Sequence, residues 1–129
     1  MNTPTPSPTC VQVYGIANCD TVKKARTWLT AHGIAFEFHD FKKKGVPPAA
    51  LDLWLQTLDW ETLLNRKGTT WRKLDAATQA AVQDATSAKA VMLAHASVIK
   101  RPVVEWPSIQ GMPQVSVGFN AHIWANERL

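Results

Sequence analysis

The sequence predicts an α/β fold built on a mixed four-stranded sheet. Three observations predict it. Two short β-type runs flank an amphipathic helical segment near the start. A long middle stretch carries helical patterning with no strand signal. Two further β-type runs and a short helical segment close the chain.

Residues 11–16 form the first β-type run, ending in a loop at Ala17-Asn18. Asp20 or Thr21 can cap a helix running to about residue 32. Val22, Ala25, Trp28 and Leu29 share one face of it, and Gly33 suits its C-terminal cap. Residues 35–41 alternate as a second strand, with Phe36 and Phe38 on one face and Glu37 and His39 on the other. Lys42, Lys43, Lys44 and Gly45 read as a charged turn. Pro47-Pro48 then opens a helix with Leu51, Trp54, Leu55 and Leu58 on one side.

Residues 59–95 break into short helices: one at 60–64, a turn at Gly68-Thr69-Thr70, and two alanine-rich segments ending near Leu93. Val103-Val104 follows Arg101-Pro102 as a third strand. A turn at Gly111-Met112-Pro113 leads to a fourth at residues 115–119, and residues 121–128 suit a final helix. The order is β-α-β, a helical insert at about 46–97, then β-β-α. This is the plan of a thioredoxin-like fold. Such folds place a cis-proline at the start of the second half, beside the active cysteine, and Pro102 occupies that position. Residues 11–129 are thus expected to form one domain behind a disordered, proline-rich leader at 1–10.

Composition narrows the function classes. The 129 residues carry 14 Lys+Arg against 10 Asp+Glu, a formal +4. The excess is too diffuse to argue for nucleic acid, but it favours small anionic ligands over cationic ones. No apolar run is long enough to span a membrane, and residues 1–9 lack a signal-type apolar region. Two cysteines do not make a disulfide framework. The expected location is the cytoplasm, where thiols stay reduced. The four histidines show no metal spacing, so no metal and no bound cofactor are expected.

Cys19 stands between a strand and a helix start. Helix N-termini present unpaired N–H groups and partial positive charge, and both favour a thiolate over a free thiol of pKa about 8.5. Lys23 and Lys24 add positive potential one turn on. The polar neighbours Asn18, Asp20 and Thr21 argue against a buried, inert cysteine. A dithiol motif would place a second cysteine at position 22, where Val22 stands. The site therefore reads as monothiol, and an outside thiol such as glutathione would have to resolve a mixed disulfide. Cys10 lies upstream, at the start of the first strand. His39 and Asp40 suit a surface pair or a supporting contact. The lysines at 42–44 suit a solvated turn. Trp28, Trp54 and Trp60 fall on apolar helix faces and are expected in the core, with Trp71 at the site's rim.

The run Tyr14-Gly15-Ile16-x-Asn18-Cys19-Asp20-Thr21-x-Lys23-Lys24-Ala25 resembles the ArsC/Spx family, in particular its YffB branch. Further matching stretches are residues 38–41, 63–74, 99–104 and 117–119. The resemblance implies an ArsC-like fold with the helical insertion and a nucleophile at Cys19. It also implies anion- or glutathione-binding roles for Asn18, Lys23, Arg66, Arg101 and Pro102. An ungapped match would put Asn65 in the place of Arg66. Guanidinium forks suit an oxyanion or a carboxylate. Glutathione is the implied co-substrate, glutaredoxin a possible redox partner, and the other substrate a small oxidised or anionic molecule. The protein is expected to be a monomer that binds neither membrane nor nucleic acid directly.

Two departures bear on substrate. Residues 105–113 carry no arginine or lysine where arsenate reductases of the family have a further arginine. The approach to the cysteine is Gly15-Ile16-Ala17-Asn18 rather than a His-Asn-Pro-Ala type. Both favour glutathione-dependent thiol reduction over arsenate reduction. The third family activity, docking on RNA polymerase as Spx-like regulators do, typically goes with a Cys-x-x-Cys switch, which Val22 interrupts.

Overall fold

The computed structural model describes residues 10–129. The expected leader at residues 1–9 lies outside the described residues. Cys10 is described, half-buried just ahead of the first strand.

The chain divides into two compact units. The first holds the residues up to Asp40 together with Arg101–Leu129. It contains β1 (Val11–Gly15), α1 (Asp20–Ala31) and β2 (Phe36–Asp40), and later two further strands and the last helix. The second, Phe41–Lys100, is helical. It holds α2 (Phe41–Lys44), α3 (Pro48–Thr57), α4 (Trp60–Leu63), α5 (Thr69–Lys73), α6 (Ala76–Ala81), α7 (Ala85–Ala94) and a 3-10 turn at Ala96–Val98. The chain then returns to the first unit through β3 (Val103–Ile109), β4 (Met112–Val117) and α8 (Ala121–Arg128).

The four strands form one mixed sheet in the order β2-β1-β3-β4. β1 and β2 are parallel, as a βαβ unit requires, with Val11 opposite Phe36 and Val13 opposite Phe38. β3 runs antiparallel to both β1 and β4. Alternation along the strands sorts the sheet's two faces. Val11, Val13, Val104 and Trp106 share one face and pack with Ala25 and Leu29 of α1 and Trp124 of α8. Phe36, Phe38, Trp28, Ile34 and Phe119 surround that cluster. Trp124 meets Trp28, Trp106 and Phe119 edge-on, at centroid distances of 5.3, 4.8 and 4.8 Å. The indole N–H of Trp106 donates to Ser116 Oγ at 2.8 Å, so its burial leaves no polar debt.

The helical unit buries Leu51, Trp54, Leu63, Leu64, Trp71, Ala88, Val91, Met92, Val98 and Ile99. Its helices are short and depend on their ends. Asp75 accepts from Thr78 N–H at the start of α6. Asp84 and Ser87 form a reciprocal capping box at the start of α7. A bridge between Leu64 and Ile99 closes the unit, with Asn65 N–H on Val98 O and Lys100 N–H on Leu63 O.

Several boundaries differ from the sequence reading. Phe41 ends no strand: it is buried and opens α2, so Lys42–Lys44 form a helical turn rather than a plain loop. Gly45, at φ +72°, terminates that turn with its N–H on Phe41 O. β3 extends past Val104 to Ile109, and β4 begins at Met112 rather than Val115. Pro107 is accommodated where the register shifts between Trp106 and Ile109. The turn falls on Gln110-Gly111, both at positive φ. Leu55 and Leu58 are only half-buried, as are Trp28 and Trp60. Trp54 is fully buried as expected, and Trp106 and Trp124 take core positions that the sequence reading did not give them.

Candidate functional site

The site is built where β1 ends and α1 begins. Gly15, the last residue of β1, lets α1 approach closely. A Cβ there would stand 2.7 Å from Val22 Cγ2, and Val22 is fully buried in the first turn of α1. The intervening loop closes with Cys19 N–H on Ile16 O at 3.1 Å. Cys19 then occupies the N-cap position itself, with extended backbone (φ −85°, ψ 126°). Asp20 and Thr21 are therefore the first helical residues, not the cap.

This placement sets the chemistry. An N-cap side chain faces the N–H groups two and three residues on, here those of Thr21 and Val22. The Cys19 side chain donates no cap hydrogen bond of its own. Partial burial is the largest influence on the thiol and pushes its pKa up. Val22 N–H, the Arg101 guanidinium, Thr21 N–H and the Arg101 charge act the other way and together outweigh it. The net result is a thiol pKa below its ordinary value. Cys19 is half-buried, enough to be held and still be reached.

Arg101 is delivered from across the sheet. It stands just ahead of β3, and the Arg101–Pro102 peptide is cis. Pro102 is buried and its carbonyl accepts from Gly118 N–H at 2.8 Å. Arg101 is half-buried and hydrogen-bonds the Cys19 sulfur. Asn18 and Lys23 are exposed beside the cysteine, Asn18 just before it and Lys23 one helical turn after it with its N–H on Cys19 O. The first unit thus brings Arg101 to Cys19, with Asn18 and Lys23 beside the cysteine along the chain and Pro102 next to Arg101.

Arg66 belongs to the helical unit. Its guanidinium pairs with Glu61 at 2.9 Å and lies 5.3 Å from the Trp60 ring. It lines a hollow of about 240 Å³ with Glu61, Leu64, Asn65, Lys67 and Lys100. Asn65 Oδ1 accepts from Lys67 N–H, and a Cβ at Gly68 would meet Asn65 Nδ2 at 2.8 Å. Trp71, the residue expected at a site rim, is buried on α5 of the same unit.

Cys10 and Cys19 are both free thiols. Cys10 precedes β1 and Cys19 lies past its far end, roughly 20 Å along a strand rising about 3.3 Å per residue. A disulfide needs Cα atoms within about 7 Å, so Cys10 does not resolve Cys19 in this fold.

The sequence reading missed a polar chain on the sheet face away from α1. Gln12 Nε2 donates to Glu37 at 2.9 Å, so Gln12 Oε1 faces His39 Nε2, at 2.6 Å. A carboxylate only accepts and an amide oxygen only accepts, so His39 Nε2 carries a proton. His39 stacks on Tyr14 with centroids 4.4 Å apart and planes 14° apart. Burial, the Glu105 charge and hydrogen bond, and the Glu37 charge all hold the Tyr14 phenol protonated well above its usual range. The pairings Gln12–Glu37, Gln12–Glu105 and Tyr14–His39 are cross-strand neighbours. Only the strand register, absent from a linear reading, could have revealed them.

Comparisons with known proteins show the family and the fold. The ArsC family profile matches residues 14–126. An uncharacterised protein of Haemophilus influenzae is 39% identical over 94 residues, covering 73% of this chain and 82% of that protein. A solved YffB protein is 45% identical, with a TM-score of 0.79 over 90% of this chain and 96% of its own. The solution structure of an arsenate reductase-related protein from Brucella melitensis is 48% identical, with a TM-score of 0.68 over 97% and 100%. Both neighbours share the thioredoxin-like, mixed-sheet architecture. With a family match across both units and a cysteine capping α1, this chain belongs to the ArsC family.

Proposed function

We propose that the protein is a glutathione-dependent thiol reductase that uses Cys19 as its single nucleophile. The observation that carries this reading is the Cys19 sulfur at the α1 N-cap, beside the Arg101 guanidinium. The thiolate attacks one sulfur of an oxidised substrate's disulfide. A new S–S bond forms to Cys19, and the other sulfur leaves as a thiolate and takes a proton from solvent. A glutathione thiolate then attacks the mixed disulfide and restores Cys19. With Val22 in place of a second cysteine, the resolving thiol comes from outside the chain. Glutathione is the co-substrate, and glutaredoxin can serve the same step.

Arg101 and Lys23 hold the anionic part of the substrate, and Asn18 and Pro102 line the approach. Arg66 is more than 40% exposed in its side chain, and so is Glu61. A surface pair of this kind is worth about 0–1 kcal/mol, so Arg66 can exchange Glu61 for an anion in its own hollow. The test is a glutathione-coupled assay on a small disulfide such as 2-hydroxyethyl disulfide. Turnover falls to the uncatalysed rate in Cys19→Ser. Unchanged turnover in that variant sinks the reading.

One observation favours a second reading. The Arg101 fork beside a thiolate also suits a tetrahedral oxyanion, so arsenate reduction is a candidate. A direct arsenate assay with glutathione and glutaredoxin decides between the two.

A further inference from the structure

A groove of about 600 Å³ runs along α1, lined by Lys23, Arg26, Thr27, Thr30, Ala31 and Phe36. Lys23, Arg26, Thr27 and Thr30 fall at the i, i+3, i+4, i+7 spacing of one helix face. The stripe begins one turn past Cys19 and runs away from it. Phe36 belongs to β2, an outer strand of the sheet. Arg26 is half-buried, with its guanidinium 4.2 Å from the centre of the Phe38 ring. That contact holds the charge against the sheet instead of leaving it to sweep through solvent. Two cations line the groove and no acid does. Hydroxyls and an aromatic edge supply the rest.

We propose that this groove receives an extended, acidic polypeptide segment whose oxidised cysteine is presented to Cys19. This deepens the reductase reading and rests on it: the substrate class becomes a protein mixed disulfide with glutathione. The occupant is argued from charge complementarity and from length. Arg26 stands seven positions past Cys19, about 10 Å along the helix axis. An extended chain covers that in about three residues. The matching ligand therefore carries Asp or Glu about three residues from its cysteine.

The chemistry balances as follows. The Cys19 thiolate forms an S–S bond to the glutathione sulfur. The bond from that sulfur to the peptide sulfur breaks, and the peptide thiolate leaves and is protonated. A second glutathione thiolate displaces Cys19, giving glutathione disulfide. Overall, one glutathione thiol reduces the peptide's mixed disulfide.

The experiment uses the full chain and two glutathionylated nonapeptides. They carry either Asp or Lys at the third residue on both sides of the cysteine. The wild type is expected to favour the Asp peptide by about tenfold in kcat/KM, the scale of a few partly exposed charge contacts. Arg26→Glu is expected to reduce that ratio toward one or invert it, and added salt to compress it. A ratio near one in the wild type, or one unchanged in Arg26→Glu, overturns the proposal. If the small disulfide is still turned over through Cys19 in that case, the reductase reading stands and only the groove assignment falls.

A second arm needs no chemistry. The Asp peptide, with serine in place of cysteine, is titrated while amide NMR shifts are followed. Shifts at Thr27, Thr30 and Phe36 support the groove, even if the reductase reading fails. Shifts confined elsewhere, or equal shifts with the Lys peptide or an unrelated polyanion such as an oligonucleotide, overturn it.

Discussion

Cys19 shows how the N-cap position changes what a cysteine can do. At the N-cap the sulfur takes the place where an Asp or Ser oxygen would satisfy the helix's first N–H groups. The helix stabilises the thiolate for the same reason it would accept a cap. Alkylation of Cys19 by iodoacetamide should reach half its plateau at a pH below that of a free cysteine. Arg101→Gln should move that midpoint upward, because both the hydrogen bond and the charge of Arg101 are lost while the N–H groups remain. A midpoint unchanged in Arg101→Gln would show that the guanidinium plays no part in ionisation. The sign extends to stability. The folded thiol's pKa lies below the unfolded one, so thiolate stabilisation is fully present above the unfolded value. It is lost as pH falls through the folded value. Cys19→Ser lacks that pH-dependent gain, so the stability difference between the two should shift toward the wild type as pH rises, as denaturant titrations across pH would register. Cys19 and Arg101 were legible in the chain because their signals are local: a helix start and the residue before a proline. Arg26 and the Gln12–His39–Tyr14 chain were not, since each acquires meaning only from a neighbour on another element.

Elements are placed here by close approach and by caps. Gly15 is the clearest case, because any side chain there collides with a buried methyl of Val22. Gly15→Ala should cost about 1–3 kcal/mol in urea denaturation, the usual range for overpacking a tight site. Adding Val22→Ala removes the collision, so the double variant should lose less than the sum of the single losses. Strict additivity would show that the approach of α1 to β1 is not set by this contact. α7 rests instead on electrostatics at its start. The Ser87 N–H and hydroxyl hold the Asp84 carboxyl below the usual carboxylate range. A lowered folded pKa contributes stability above the unfolded value, and that contribution fades as pH falls through the folded value. Asp84→Ala should therefore lower Tm at neutral pH, with a difference that shrinks in acid. The periodicity of α1 and α3 made those helices legible, as did the paired strand runs. The ends of β3 and β4 were not legible. The sequence placed a turn at Gly111-Met112-Pro113, whereas the hairpin carries Pro113 within β4 and absorbs Pro107 where its register shifts.

At the scale of the molecule, the six tryptophans separate what composition suggests from what packing decides. Apolar helix periodicity put Trp60 in the core and gave no special place to Trp124. The structure reverses that order. Trp60 begins a four-residue helix, is half-buried and keeps one flank under the Arg66 guanidinium. Trp124 is 4% exposed and joins α8 to α1 through Trp28, to β3 through Trp106 and to the loop after β4 through Phe119. A short terminal helix carries a weak periodic signal, and one residue that touches three elements looks in sequence like any other aromatic. Trp124→Ala should therefore cost about 3–5 kcal/mol, the range for emptying a buried aromatic site. Trp60→Ala should cost under about 1 kcal/mol, as partly exposed positions do. Trp124→Phe refills part of the volume and should recover part of the loss. Urea titrations give the stabilities, and near-UV circular dichroism should lose intensity mainly in Trp124→Ala, where the edge-to-face cluster is dismantled. Equal losses at the two tryptophans would mean that α8 does not close the apolar face of the sheet. Because β3 begins beside Arg101 and packs under Trp124 through Trp106, the same variant should also loosen the strand that carries Arg101. Its Cys19 alkylation midpoint should then drift upward, toward that of Arg101→Gln.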